Sequence, residues 1–387
     1  MPDARPGIML VTRNFPPLRG GMERLNQRML EGLSRHEPVV LVGPAGCTPF
    51  AATATRVREV PAAPLWRFLP AALVAALRLA RRHRPRLVLA GSGLVAPLAW
   101  LAARSIGARC AVYLHGLDLV VPNPAYRRLW LPFIRRCDIA IANSRNTARL
   151  AMERGVDPVR LDVVHPGTDL PAPDPDARRR FRAAHDLGGR PVLLSVGRLT
   201  QRKGLAEFVR EVLPGVLAAQ PEALLLVIGG DAIDALAAQA GSTRQRILDT
   251  AREAGVEHAL RLLPPCDDAA LAAAYRAADL HVFPGRAMPG DVEGFGMVAV
   301  EAAAHGLPTV AYRVGGVGDA VVEDATGTLV EARDHAAFVR AALDWLARSR
   351  HPGTRERCAD AARAFAWDRF DAQLQALLPA SARTGER

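Results

Sequence analysis

The sequence is almost without lysine: of its 50 basic residues 49 are arginine, and Lys203 stands alone. It has little cysteine. Cys47, Cys110, Cys137, Cys266 and Cys358 are scattered through 387 positions with no C-x-x-C pair. An odd number so dispersed argues against a disulfide framework or a structural zinc and fits a reducing compartment, so a cytoplasmic location is expected. No long uninterrupted apolar run is present either. The most apolar stretch, from Leu87, is broken by Gly91, Ser92, Gly93 and Pro97, and reads as strand, turn and buried helix rather than a membrane span. The start, MPDARPGIMLV, has no signal-peptide pattern and leads directly into a strand. No G-x-G-x-x-G follows that strand, so dinucleotide binding is not indicated.

What is present is a globular chain, half hydrophobic, with room for two or three domains. Its net charge of +11 is lopsided. Up to Leu170 there are 24 arginines against 11 carboxylates, and beyond it 26 basic residues against 28 acidic ones. A basic N-terminal half attracts anionic surfaces such as membranes, nucleic acid or phosphorylated substrates. No nucleic-acid motif accompanies it, and nucleic acid is not expected as a partner. Two segments interleave the arginines with aromatics. One begins at Trp66 and sets Arg78, Arg81 and Arg82 at helical spacing; the other begins at Tyr126 and joins Arg127, Arg128, Arg135 and Arg136 to Trp130 and Phe133. Both suit an anionic membrane surface, and equally a sheet-covering helix with a solvated face.

Strands are expected at Ile8 to Thr12, PVVLVG, RLVLAG, CAVYLHGLD, DIAIANS and LDVVHPGTD, alternating with helical stretches. That alternation implies an α/β fold with a parallel sheet covered on both faces, whose ligands bind at the carboxyl ends of strands. His115 and Asp118 fall at such an end, and Gly20 and Gly21 precede a helix where backbone amides can approach a phosphate. A Pro- and Asp-rich segment, 171–190, reads as a linker with a short helix. Its Asp174-Pro175-Asp176 imitates a metal-binding D-x-D only by chance, so no catalytic metal or cofactor is expected. The α/β pattern then restarts with PVLLSVGRLTQRKG, followed by strands at ALLLVIGGD, LRLLPPC, ADLHVFPG and PTVAY. Arg198 and Lys203 are cations in a strand-end loop, where phosphate oxygens are well bound.

The strongest signal is PGRAMPGDVEGFGMVAVEAAAHG, from Pro284 to Gly306. A glycine-rich turn opens into a short apolar helix in which Glu301 is a misplaced carboxylate that needs polar partners. Glu293 lies in the turn, beside the N–H groups of Phe295, Gly296 and Met297 at a helix start. EGFGMVAVE resembles the signature of retaining glycosyltransferases of family four, and G-R-L-x-x-x-K-G resembles that family's diphosphate clamp. The likeness extends over nearly the whole chain, most closely from Arg190 to Gly327.

The resemblance implies the GT-B fold, two Rossmann-like domains facing across a cleft. Domain one would be 1–170, completed by a terminal helix at 364–380, and domain two 191–363. It implies a UDP- or GDP-linked sugar as donor, with Gly20 and Gly21 under the diphosphate and Arg198 and Lys203 clamping it. Glu301 would hold the ribose, and Glu293 with Phe295, Gly296 and Met297 the sugar. His115 would lie on the sugar's other face, Asp118 on the acceptor side, and the Pro264 to Cys266 loop near the nucleobase. The expected acceptor is a lipid-linked or other glycan in envelope polysaccharide or glycolipid synthesis, with the enzyme peripheral on the inner face of the cell membrane. A nucleotide-sugar 2-epimerase or a phosphorylase of the same fold would use the same groups. A non-catalytic lipid- or nucleic-acid-binding protein would use the basic half alone.

Overall fold

The computed structural model describes residues 7–231, 242–351 and 353–378. The first residues read from the sequence, 1–6, and positions 379 and 380 of the expected terminal helix lie outside that set. The chain divides into two compact units. One runs to Gly167 and resumes at Trp367; the other is Thr168–Ala366.

The first unit is built on seven parallel strands: β1 (Ile8–Val11), β2 (Val39–Pro44), β3 (Arg56–Val60), β4 (Leu87–Ala90), β5 (Arg109–Leu114), β6 (Ile139–Ala142) and β7 (Leu161–Val163). Their order is β3-β2-β1-β4-β5-β6-β7. The central strands are runs of Val, Ile, Leu and Ala buried on both faces, as a sheet sandwiched between helices requires. Helices Leu65–His83 and Ala96–Arg104 cover part of it with small residues. Ala72, Ala76, Ala80, Ala99, Ala102 and Ala103 are fully buried or nearly so, which lets the two helices pack close. The returning helix, Trp367–Leu377, packs against helix Gly21–Ser34. Phe370 lies 6.2 Å from the Tyr113 ring, and Asp371 pairs with Arg35 at 2.7 Å.

Among the described residues the second unit has six parallel strands: β8 (Val192–Val196), β9 (Leu224–Ile228), β10 (Leu260–Leu263), β11 (Leu280–Phe283), β12 (Thr309–Tyr312) and β13 (Gly327–Val330). Their order, β10-β9-β8-β11-β12-β13, repeats the winding of the first sheet. Both are Rossmann-like, as the alternating sequence pattern implies. In each, winding reverses beside the first strand, and the crevice there is where such sheets bind ligands. The crevice of the second sheet lies between β8 and β11.

The segment 171–190 belongs with the second unit by its contacts and is not a linker along its length. Helix Ala177–Ala184 buries Phe181 against Val192 and Tyr275, and Arg178 and Arg182 donate to carbonyls at the end of helix Asp268–Ala277. Asp174, read as a chance metal motif, accepts the Asp176 and Ala177 N–H groups and pairs with Arg180, so it caps that helix.

Candidate active site

Two loops meet at the carboxyl ends of β8 and β11. After β8 the chain makes a tight turn, Gln201–Lys203, and leaves it through Gly204 at φ +69. A Cβ at 204 would overlap the Pro284 carbonyl oxygen, so glycine is required both for the backbone angle and for the approach of the second loop. That second loop follows β11 from Pro284 to Gly296. Gly296, at φ +97, starts helix Met297–Ala304, and its carbonyl accepts the Ala299 N–H at 2.9 Å to close the first turn.

The turn delivers Lys203 onto Glu293. The Lys203 ammonium donates to Glu293 Oε2 at 3.0 Å and lies 4.3 Å from the centre of the Phe283 ring, a cation held by a carboxylate and an aromatic face. Arg202 also pairs with Glu293 and, through Nε, with Asp291 at 3.1 Å. These side chains are only 14% (Arg202), 15% (Lys203) and 16% (Glu293) exposed, so the charges are strongly coupled. Burial alone would raise the Glu293 pKa; Lys203 and Arg202 outweigh it and bring the carboxyl from an ordinary 4.5 to about 2. Burial pulls Lys203 down, against the pull of Glu293 in the other direction. His281, buried on β11, is pushed to about 3 by burial and then by Lys203, and is neutral at physiological pH.

Glu301 finds its polar partner in Tyr275, whose hydroxyl donates to Oε2 at 3.2 Å. Tyr275 is itself stacked on His305 at 5.2 Å, and His305 Nδ1 lies 2.8 Å from the Glu301 carbonyl. Phe295 is buried against Val317 and Ala320, which roots the loop. Arg198 is exposed, and its charge is among those that lower Lys203. Of the residues named from the sequence, the second unit thus joins Lys203 directly to Glu293 and sets Phe295, Gly296 and Met297 on the same loop. Glu301 has its hydrogen bond from Tyr275, and Arg198 acts on the pair through its charge. Among the described residues no three His, Cys, Asp or Glu side chains are grouped to hold a metal ion.

The remaining four named residues belong to the first unit. His115 Nε2 donates to the Gly91 carbonyl at 2.9 Å, which fixes the tautomer and leaves Nδ1 as an acceptor. Asp118 Oδ2 accepts the His115 N–H at 3.0 Å, so this carboxylate closes its own turn. Gly20 and Gly21 begin helix Gly21–Ser34 as expected, but the Glu23 carboxylate folds back onto Gly20, where it also accepts from Asn14 at 2.9 Å. An anion approaching those amides has to displace or neutralise that charge.

Arg202, Phe283 and Tyr275 were not singled out from the sequence. Two adjacent cations in the turn were a signal for Arg202. The need of Glu301 for a polar neighbour foretold a partner but not Tyr275.

Residues 177–365 match the family described as Glycosyl transferases group 1, and residues 19–171 match Glycosyltransferase Family 4. Over 364 residues the chain is 34% identical to a GDP-mannose-dependent alpha-(1-6)-phosphatidylinositol monomannoside mannosyltransferase of Mycolicibacterium smegmatis, covering 89% of this chain and 90% of that one. A D-inositol 3-phosphate glycosyltransferase of Mycolicibacterium vanbaalenii is 34% identical over 254 residues, 64% of this chain and 54% of that one. Among solved structures, Anabaena Alr3699/HepE in complex with UDP-glucose superposes with a TM-score of 0.78 at 18% identity, covering 96% of this chain and 99% of that one. Two Rossmann-like sheets, a paired Lys203 and Glu293 at the second switch point, and these likenesses along most of the chain lead to one conclusion: the chain belongs to glycosyltransferase family four, with the GT-B fold.

Proposed function

We propose that the protein transfers a sugar from a UDP- or GDP-linked donor to a lipid-linked or glycan acceptor with retention at the anomeric carbon, in envelope polysaccharide or glycolipid synthesis. The observation that carries this reading is the largely buried Lys203–Glu293 pair at the β8/β11 crevice. The bond from the anomeric carbon to the diphosphate breaks, the acceptor oxygen forms the new bond from the same face, and the acceptor proton passes to the departing phosphate oxygen. Lys203 and Arg198 stabilise the negative charge that develops on the diphosphate, the term that preorganised cations serve best. Glu301, oriented by Tyr275, takes the ribose hydroxyls. Glu293 and the backbone from Phe295 to Met297 position the sugar, with His115 as an acceptor for a sugar hydroxyl and Asp118 shaping the acceptor-side turn. Gly20 and Gly21 lie under the diphosphate once Glu23 has moved. The scheme draws its positive charge from side chains and needs no metal. The Mycolicibacterium smegmatis relative's named substrates favour GDP-mannose and an anionic lipid acceptor.

We also propose that the first unit docks on an anionic membrane surface, keeping the enzyme peripheral on the cytoplasmic side. Helix Ala96–Arg104 packs against both Leu65–His83 and Leu131–Arg136, so one helix adjoins both arginine-rich segments. The two segments expose Trp66 (68%) and Leu129 (57%) among Arg67, Arg78, Arg81, Arg82, Arg128 and Arg136. Not every expected aromatic anchor points outward: Trp130 donates to the Leu94 carbonyl at 2.8 Å, and Phe133 packs on Trp100 at 5.4 Å. Among the described residues no helix is long and apolar enough to cross a membrane.

The test is thermal shift and nucleotide release with GDP-mannose and UDP-glucose, with and without phosphatidylinositol vesicles or a free glycan. A donor at 100 times its Kd should add about 2.7 kcal/mol of stability, and release of GDP or UDP should depend on the acceptor. Donor isomerisation without acceptor would make the protein an epimerase, and sugar phosphate formation a phosphorylase. No response to either donor would overturn the reading.

A further inference from the structure

The turn after β8 carries a cation that the donor-site roles do not use. Arg202 holds the loop from Pro284 to Gly296 near both ends. Its carbonyl accepts the Arg286 N–H at 2.8 Å where the loop begins, and its guanidinium reaches Asp291 and Glu293 where it closes. From the other side, the Gly316 N–H donates to the Glu293 carbonyl at 2.8 Å. The Glu293 backbone is therefore fixed, and only its side chain is left to be set.

Glu293 Oε2 is shared between Arg202 and Lys203. A diphosphate that draws the Lys203 ammonium takes one cation away from a carboxylate with little access to water. Leaving such a carboxylate unpaired is strongly unfavourable. Arg202 is the group that can remain, because its planar fork already spans Asp291 and Glu293. We propose that Arg202 is a positioning residue: it keeps Glu293 charged and in place, and so releases Lys203 to the donor diphosphate. This rests on the glycosyl-transfer reading of the same site. The charged and titratable groups concerned are Lys203 and Arg202 from the turn and Asp291 from the Glu293 loop, with Arg198 and His281 acting on Lys203.

The experiment compares Arg202→Gln, Arg202→Lys, Glu293→Gln and the double variant Arg202→Gln/Glu293→Gln in the full chain. Steady-state rates are measured across pH with whichever of GDP-mannose and UDP-glucose the wild type turns over. Arg202→Gln should lower kcat/KM by about 10–100-fold, the size of one lost charged hydrogen bond. It should also bring an acidic limb into the pH profile, because a carboxylate that has lost a cation protonates at higher pH. Arg202→Lys should return the limb toward the wild-type position, though less fully because it lacks the fork to Asp291. In the Glu293→Gln background, Arg202→Gln should add little. An unmoved pH profile, or a full Arg202→Gln effect in that background, would overturn the proposal. If Arg202→Gln does not fold, the Arg202→Lys profile decides: an intermediate limb supports the proposal and a wild-type limb refutes it. A wild type that binds and turns over neither donor would sink the transfer reading and this inference together, an outcome distinct from an active wild type that is indifferent to Arg202.

Discussion

At the scale of single residues, the question is why one position keeps a lysine in a chain that uses arginine everywhere else. The ammonium sits 3.0 Å from Glu293 and 4.3 Å from the Phe283 ring, a space suited to a point charge on a thin stem. A guanidinium is wider and planar, and Arg202 already shares the Glu293 Oε2 atom with Lys203. Lys203→Ala should therefore cut kcat roughly 10²–10³-fold, by analogy with removing one donor to a developing anion. Lys203→Arg should restore only part of that loss. Turnover and melting temperature of both variants with the identified donor are the check, and full activity in Lys203→Ala would remove it from the mechanism. The residue types at this site were legible: a lone lysine, and carboxylates in apolar or glycine-rich settings. The pairing was not. Lys203 and Glu293 are 90 residues apart, and they meet because β8 lies beside β11, a strand order that no local spacing encodes.

Elements were legible where burial wrote them plainly. The central strands are apolar on both faces and were all expected within a residue or two. Two strands were not anticipated, and both are sheet edges. β3, Arg56–Val60, reads Arg-Val-Arg-Glu-Val and is exposed along one side, which protects an edge from pairing but hides it as a strand. β13, Gly327–Val330, is four residues long and begins with glycine. The helix Leu65–His83 is clear in both its faces: Phe68, Ala72, Ala75, Ala76 and Ala80 are buried, and Arg78, Arg81 and Arg82 are exposed. Since those arginines carry no core packing, changing all three to Gln should leave the melting temperature and nucleotide affinity unchanged. It should weaken binding to anionic vesicles in co-sedimentation, and salt should weaken wild-type binding in the same way, because charges are screened beyond about 8 Å at physiological ionic strength. Equal vesicle binding by wild type and variant would dissociate this face from membranes.

For the whole molecule, the division into units has an energetic side. The returning helix Trp367–Leu377 puts Trp367, Phe370 and Leu374 into the first unit, each nearly or fully buried. At about 1.5–3 kcal/mol per buried side chain, these three contribute on the order of 5–9 kcal/mol, comparable with the net stability of a whole domain. A chain ending at Ala366 should therefore lose the cooperative melting of its first unit. GDP or UDP should still raise the melting temperature of what remains, since the turn and loop that carry Lys203 and Glu293 lie within Thr168–Ala366. Retention of both transitions in the truncated chain would refute this account.

The second unit is inserted in the first, and its ends are neighbours: the Thr168 N–H donates to the Phe365 carbonyl at 2.7 Å. On the ribosome this reverses the usual order of completion. After Gly167 is made, about 200 residues must be translated before Trp367 appears, a wait of roughly 10–40 s at ordinary elongation rates. Throughout that interval the nascent sheet has Tyr113 and helix Gly21–Ser34 without the helix that covers them, and by its end the later unit has every strand of its own sheet. The part of the protein that emerges first is the part finished last, and the apolar surface under its terminal helix stays uncovered until then.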